Sequence, residues 1–311
     1  MRQLTEEQQK KYSAAIKQGF LSVKEPDLHS FCGVWIRKHP NRVSTLVRMK
    51  DILGRNPEWR DLTDDVLSDL KDDMSEEMAP NSVRTICGEL KAVITRNRAT
   101  KPIPTKTYVS ILRSKKVPTE STYLTTAELK RLHNYKPRTK REEFAKAMFM
   151  RECLTGARSV DCRLLSEANI HVVDGEEYLT YVPQKHPVEV TVPVHKWLKD
   201  YLSNDWPERF KKIRPDHLNR TISSICKHCG ITQPVTEYKA GKTVTRPKYM
   251  CVTSHTGRRT FATILSLKGC PLDQIALMMG HMNGNVPNVT MTAGYIRERK
   301  KISKAVLAIF K

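Results

Sequence analysis

Apolar positions recur at helical spacing from about Asp27 onward: Leu28, Phe31, Val34 and Trp35, then Val43, Leu46, Met49 and Leu53, then Val66 and Leu70, and last Val83, Ile86, Leu90, Val93 and Ile94. Breaks at His39-Pro40, Asn56-Pro57 and Ala79-Pro80 divide these runs, so the pattern predicts a bundle of about four helices over residues 22–100. Residues 1–21 are polar with weak periodicity and read as a lead-in segment, mobile or forming a short helix. Residues 101–120 contain Pro, lack periodicity and carry Lys101, Lys106, Arg113, Lys115 and Lys116, so they read as a basic linker able to track a duplex backbone.

The helical pattern resumes at Tyr123–Leu129, with Thr at a plausible N-cap and Glu128 in the first turn. A second helix, Glu142–Leu154, is apolar on one side (Phe144, Ala147, Met148, Met150) and runs into Thr155-Gly156-Ala157-Arg158. Asp161 follows Arg158 by one helical turn, where its carboxylate can brace the guanidinium. The period then changes to two. Glu177–Val182 and Val188–Pro193 flank Pro183-Gln184-Lys185-His186-Pro187 and predict a β-hairpin with Lys185 at its tip, the one convincing β signal. Helices are expected around His195–Leu202 and near His217–His228, and a Gly/Lys/Thr-rich loop over Thr236–Lys248. The tail Lys300–Lys311 places Ile302, Ala305, Val306, Ile309 and Phe310 at helical spacing and is too apolar for a lone terminus. The expected fold is mainly α with a small β-hairpin or sheet, in two domains: the bundle at 22–100 and a larger domain at 121–311.

Charge narrows the partner. The chain of 311 residues carries a formal net charge of +21, which points to a polyanion, nucleic acid before a membrane surface. Residues 1–120 hold 22 basic and 16 acidic groups and residues 121–311 hold 32 and 17, so the excess lies mainly in the second half. The acidic run Asp61–Glu77 must look away from phosphates or toward a basic partner. Met1-Arg-Gln-Leu-Thr-Glu-Glu has no apolar signal core, and no apolar run approaches the ~20 residues of a membrane span, so a cytoplasmic, membrane-free protein is expected. Cys32, Cys87, Cys153 and Cys162 fall within apolar patterns and read as core residues, not disulfide partners. Cys226-Lys227-His228-Cys229 lacks the second ligand pair that a structural zinc site wants.

The candidate chemistry gathers in Ser254–Tyr295, which opens with Ser-His-Thr-Gly-Arg-Arg-Thr-Phe, passes through Met279-Gly280-His281 and ends in Ala293-Gly294-Tyr295. Together with Thr-Gly-Ala-Arg158 and Lys185, the set Arg158, Lys185, His255-Thr-Gly-Arg258, Gly280-His281 and Tyr295 resembles, in that order over about 140 residues, the tyrosine recombinases of the phage integrase family. The likeness covers residues ~22–300. It implies a SAM-like core-binding helical domain, an α+β catalytic domain, and a C-terminal helix that docks into a neighbouring protomer. By this resemblance Tyr295 is the nucleophile that forms a 3′-phosphotyrosyl bond. Arg158 and Arg258 clamp the non-bridging oxygens with planar donors that never deprotonate, and His281 is a third donor. His255 is the base for a phenol whose ordinary pKa is ~10, and Lys185 protonates the leaving 5′-oxygen.

Asp161 supports Arg158, while Arg259, Lys115 and Lys116 are expected on DNA phosphates. Lys242 or Lys248 can stand in for Lys185, and Tyr249 rivals Tyr295 but precedes His255 and breaks the family order. No metal, ATP or other cofactor is implied, because cationic side chains take the role that metals play in other phosphoryl transfers. The implied partners are double-stranded DNA, further copies of the chain in a tetramer on two sites, and accessory DNA-bending proteins. Two alternatives remain open: a type IB-like topoisomerase, and an inactive DNA-binding regulator of the same fold. The family commonly places its Tyr about nine residues after Gly-His, whereas Tyr295 lies fourteen after His281, across the turn-forming Asn283-Gly284-Asn285-Val286-Pro287-Asn288. This longer tether predicts a Tyr295 that is mobile until DNA and a neighbour hold it.

Overall fold

The computed structural model describes residues 3–117, 122–239 and 242–297. These divide into two compact units, the first of residues up to 117 together with the described part of Tyr238–Thr243, the second of residues 122–237 and 244–297. The first contains α1 (Glu6–Lys11), α2 (Ser13–Lys17), α3 (Phe31–Lys38), α4 (Val43–Leu53), α5 (Asp64–Glu77), α6 (Pro80–Asn97) and α7 (Tyr108–Ile111). Local chemistry sets the ends: the Ser30 and Thr63 hydroxyls accept the N–H groups of Gly33 and Val66, Pro80 opens α6, and Gly54 closes α4 at φ 70°. The apolar stripes converge on Phe31, Trp35, Leu46, Met49, Leu70, Ile86 and Leu90, all nearly fully buried.

The lead-in forms short helices, one of its two expected states, but it and the linker also join the core. Leu4, Tyr12, Ala15, Phe20 and Leu21 are buried in this core, as are Tyr108 and Leu112. Their apolar groups are too irregularly spaced to read as a stripe, and only the tertiary fold collects them. Beyond α7 the chain stays fastened: Lys71 Nζ donates to the carbonyls of Ile111 (2.7 Å) and Arg113 (3.2 Å), and Asn81 pairs with the Val117 backbone in both directions. Lys115 and Lys116 are exposed on that fastened segment. The acidic run is partly paired at the surface, with Arg48 bonded to Asp73 and Glu77 at 2.6 Å each.

The second unit is built around α9 (Lys140–Thr155), which follows α8 (Thr126–Asn134). From Phe144 to Thr155 every residue of α9 is buried, a helix enclosed on all sides instead of on one face. The buried Arg151 is satisfied by the carbonyls of Cys162, Leu165, Tyr201 and Ser203 and by Asn204. Where a helix is expected over His195–Leu202 the chain makes a single 3₁₀ turn at Lys199–Tyr201, and the carbonyls of Tyr201 and Ser203 at its end serve Arg151.

After α10 (Ser159–Cys162) come β1 (Ile170–Val173), β2 (Glu176–Tyr181) and β3 (Val190–Pro193), an antiparallel sheet in that order with Leu179 opposite both Ile170 and Val192. The predicted hairpin is present, with an additional edge strand. α11 (Glu208–Lys211) and α12 (Pro215–His228) follow, and then β4 (Pro234–Lys239) and β5 (Lys242–Pro247), which pair with each other where a loop is expected. Thr236 and Thr245 bond across the strands at 2.9 Å, so Thr-rich sequence that reads as loop is cross-strand pairing. The unit closes with α13 (Ser254–Leu267), α14 (Leu272–Met278), the short hairpin β6 (Met282–Asn283) and β7 (Val286–Pro287), and α15 (Val289–Ala293). The expected C-terminal helix at 300–311 lies outside the described residues, and among those described no helix is long and apolar enough to cross a membrane.

Candidate active site

Two glycines let α9 and α13 meet. Gly156 ends α9 at φ 68°, and a Cβ there would stand 2.5 Å from the Phe261 ring; a Cβ on Gly257 would stand 2.6 Å from that of Glu152. This close approach seats Arg258, 1% exposed, against the end of α9. Its Nη1 donates to the Gly156 carbonyl, and its Nη2 to the Met279 carbonyl at 3.0 Å and to His281 Nε2 at 2.9 Å. Its Nε has no hydrogen-bond partner among the described residues. Burial first, and then the charge of Arg158, lowers its pKa.

Arg158 caps α10. Its Nη1 lies 4.0 Å from Asp161 Oδ2, and neither atom has a hydrogen-bond partner among the described residues, so the expected brace is an electrostatic approach without a hydrogen bond. Asp161 instead uses Oδ1 to accept the Gln184 N–H at 3.0 Å, anchoring the loop between β2 and β3. Lys185, next on that loop, is exposed and makes no hydrogen bond or ion pair among the described residues. Lys185 thus makes no bond to the cluster, although the charge of its neighbour His186 reaches His281. Neither is Lys248 a substitute: it is 8% exposed and locked to Glu128 at 2.6 Å. The side chain of Lys242 lies outside the described residues.

Gly280, at φ 62°, turns the chain so that His281 points inward, 1% exposed. Arginine only donates, so His281 Nε2 accepts from Arg258 and the proton of the neutral ring sits on Nδ1, 3.0 Å from Thr292 Oγ1. Thr292 in turn donates to the Asn288 carbonyl at 3.0 Å. Burial, then Arg258, Arg158, His255 and His186, pushes the His281 pKa down to about 3, in keeping with a neutral ring. His255 remains exposed at the start of α13. Crowding by protein atoms, then Arg259, Arg258, Arg297 and Arg158, lowers its pKa to about 4.

Tyr295 lies among these groups. Its ring centroid is 5.2 Å from that of His255 and 4.8 Å from that of His281, and Arg258 Cζ sits 5.5 Å over the ring. This overturns the expectation of a mobile nucleophile. The insert folds out as β6–β7, and the Asn288 N–H closes back onto the His281 carbonyl at 2.7 Å, so the extra residues do not lengthen the working tether.

Arg259 is half-buried on the next position of α13, and its charge reaches His255. Tyr249, the rival, packs instead under Lys227, whose Nζ is 5.8 Å from its ring. Three buried neighbours carry no motif that would mark them in the sequence: Thr292, Glu152 beneath Gly257, and Tyr181 at the end of β2, whose hydroxyl has no partner among the described residues and feels Arg258, Asp161 and Arg158. Among the described residues no group of three His, Cys, Asp or Glu side chains is placed to hold a metal.

The model of the phage integrase family matches residues 122–301, more than half of the chain, and the chain belongs to that family. No curated protein sequence matches it. Among solved structures it resembles a lambda integrase tetramer bound to a Holliday junction, with TM-score 0.58 and 17% identity over 85% of this chain and 74% of that one. It resembles the XerH site-specific recombinase bound to its difH substrate, with TM-score 0.58 and 13% identity over 86% and 76%. The Tn1549 transposon integrase in complex with a circular intermediate DNA gives TM-score 0.56 and 13% identity over 97% of both chains. At these identities the structural likeness speaks for the fold: mainly helical, with small antiparallel sheets.

Proposed function

We propose that this chain is a site-specific DNA recombinase whose Tyr295 breaks and rejoins DNA through a 3′-phosphotyrosyl bond. The observation that carries this reading is the placement of Tyr295 beside Arg258, His255 and His281, with donor atoms on Arg258 (Nε) and Arg158 (Nη1) in the same cluster that have no hydrogen-bond partner among the described residues. Two guanidiniums with unspent N–H groups suit a phosphodiester, whose two non-bridging oxygens gain charge as the phenolate oxygen attacks. In that step the Tyr295 oxygen forms a bond to phosphorus and the bond from phosphorus to the 5′-oxygen breaks. The phenol proton goes to His255, and the leaving oxygen takes a proton from Lys185. Because the new ester conserves the bond, a 5′-hydroxyl from another strand reverses the step without ATP.

Burial first, and then the surrounding cations, depresses both imidazole pKa values. An incoming phosphodiester supplies the opposite charge, raising both pKa values and turning His255 into a better base and His281 into a donor. We assign the first unit to DNA binding as the family's core-binding domain and the second to catalysis, with Lys115, Lys116 and Arg259 on the phosphate backbone. Lambda integrase forms a tetramer on a Holliday junction, and we propose the same assembly here, on two duplex sites in the cytoplasm.

A nicked duplex carrying the inverted-repeat DNA beside the coding sequence tests the reading, because loss of the short cleaved strand traps the covalent complex. Wild type should become attached to a 3′-phosphate. Tyr295→Phe should bind the duplex without attaching, and attachment that survives this substitution removes Tyr295 from the role.

A further inference from the structure

The chain around Tyr295 is tied down on both sides by buried hydroxyls. Three residues before it, Thr292 (0% exposed) meets His281 Nδ1 at 3.0 Å, and His281 Nε2 receives Arg258 Nη2 at 2.9 Å. Two residues after it, the Arg297 N–H donates to the hydroxyl of Thr263 (0% exposed) at 3.2 Å. Thr263 stands on α13, the helix that carries His255 and Arg258. The Thr263 tie therefore runs from the backbone beside Tyr295 to the helix that carries Arg258, and the Thr292 tie reaches Arg258 through the His281 ring. Capping alone does not account for them: Thr292 already bonds the Asn288 carbonyl as a helical Thr does, and the His281 bond is additional.

We propose that Thr263 and Thr292 are positioning residues that hold Tyr295 against its own chain's arginine clamp, so that nucleophile and clamp move as one body. The proposal rests on the assignment of Tyr295 above. Each hydroxyl acts through another group, Thr292 through His281 and Thr263 through the backbone of Arg297. A polar chain from Arg258 through His281 and Thr292 to Asn288 leaves the His281 ring one tautomer, with its proton on Nδ1.

The test is single-turnover attachment to the same nicked duplex, with affinity for that duplex measured alongside. Thr292→Val should slow attachment about 100-fold and Thr263→Val about tenfold, since misplacing a reacting group by ~1 Å costs on that order. Affinity should stay within about twofold, and Thr292→Ser and Thr263→Ser should recover most of the rate by restoring the hydroxyl. Independently of any variant, the imidazole ¹⁵N spectrum of DNA-free wild type should show His281 protonated on Nδ1. Valine variants that attach at the wild-type rate, serine variants that rescue nothing, or a His281 proton on Nε2 would each overturn the proposal. Tyr295→Phe in the same assay separates the two levels: if it still attaches, the assignment of Tyr295 fails; if it does not while the valine variants remain unimpaired, only the threonine proposal fails.

Discussion

The Tyr295 side of the site and the Lys185 loop are organised in opposite ways. Around Tyr295, the residues Arg258, His281, Thr292 and Thr263 are essentially inaccessible to water, and each is hydrogen-bonded to another segment. Between β2 and β3, Val182 and residues 184–189 are exposed; Pro183 is buried near Gly280, and the bond from Gln184 to Asp161 is the fastening to α10. Under the roles proposed above, the difference follows from what each must meet. A nucleophile and its clamp act on one phosphorus atom and gain from being fixed beforehand, whereas a proton donor aimed at the leaving oxygen can take its final position from the DNA it enters. Fixing the exposed residues 185–189 more tightly without DNA would cost conformational entropy.

The comparison breaks most visibly at Arg258. Arg258→Lys keeps the charge but removes the fork that reaches the Gly156 and Met279 carbonyls and His281 at once. Attachment should fall about 10³-fold, the upper range for losing one preorganised donor. DNA affinity should change little, because binding is spread over many phosphates. Near-wild-type attachment by the lysine variant would show that charge alone suffices and that the buried side of the site is not preorganised in the sense argued.

Lys185 gives the next effect. Lys185→Ala should lower the cleavage rate about 10²-fold, the ordinary share of a general acid, and leave unfolding within ~0.5 kcal/mol of wild type because the side chain is exposed. Replacing the bridging 5′-oxygen by sulfur, which leaves without protonation, should restore most of the loss. If the sulfur substrate is cleaved as poorly as the oxygen one, Lys185 is not the proton donor, and the loop's openness has another purpose.

Much of this division was legible in the chain. Arg158, Arg258, His281 and Tyr295, the residues proposed here for phosphoryl transfer, stand out by type and order along the chain, and Gly156 and Gly280 mark the turns beside them. The helical runs of both units are visible because burying one face imposes a period. The failures share a cause, dependence on partners far along the chain. Leu4, Phe20 and Tyr108 have no local stripe, yet each finds the first unit's core. Thr292 and Thr263 are ordinary hydroxyls until His281 and Arg297 come within bonding distance. The insert after His281 reads as added slack because its closure depends on one backbone bond, from Asn288 to His281.

Glu152 offers the smallest and sharpest probe of the buried side. It lies on α9 under Gly257, 1% exposed, and burial raises its pKa well above the ordinary 4.5 against the opposing pull of Ser159, Arg258 and Arg163. A carboxyl group whose folded pKa lies above its unfolded value contributes its full stabilisation below about pH 4.5 and loses it as pH rises toward the folded value. The loss is ~1.4 kcal/mol for each pH unit crossed. Glu152→Gln, close in shape to the neutral acid, removes this dependence. Urea unfolding at pH 5, 7 and 8 should therefore show wild type losing stability relative to the variant across the series, with the gap smallest at pH 5. Parallel pH profiles would mean that Glu152 is ionised in the folded protein and balanced by the guanidinium of Arg258; the clamp would then rest on a buried ion pair, not on carbonyls and an imidazole.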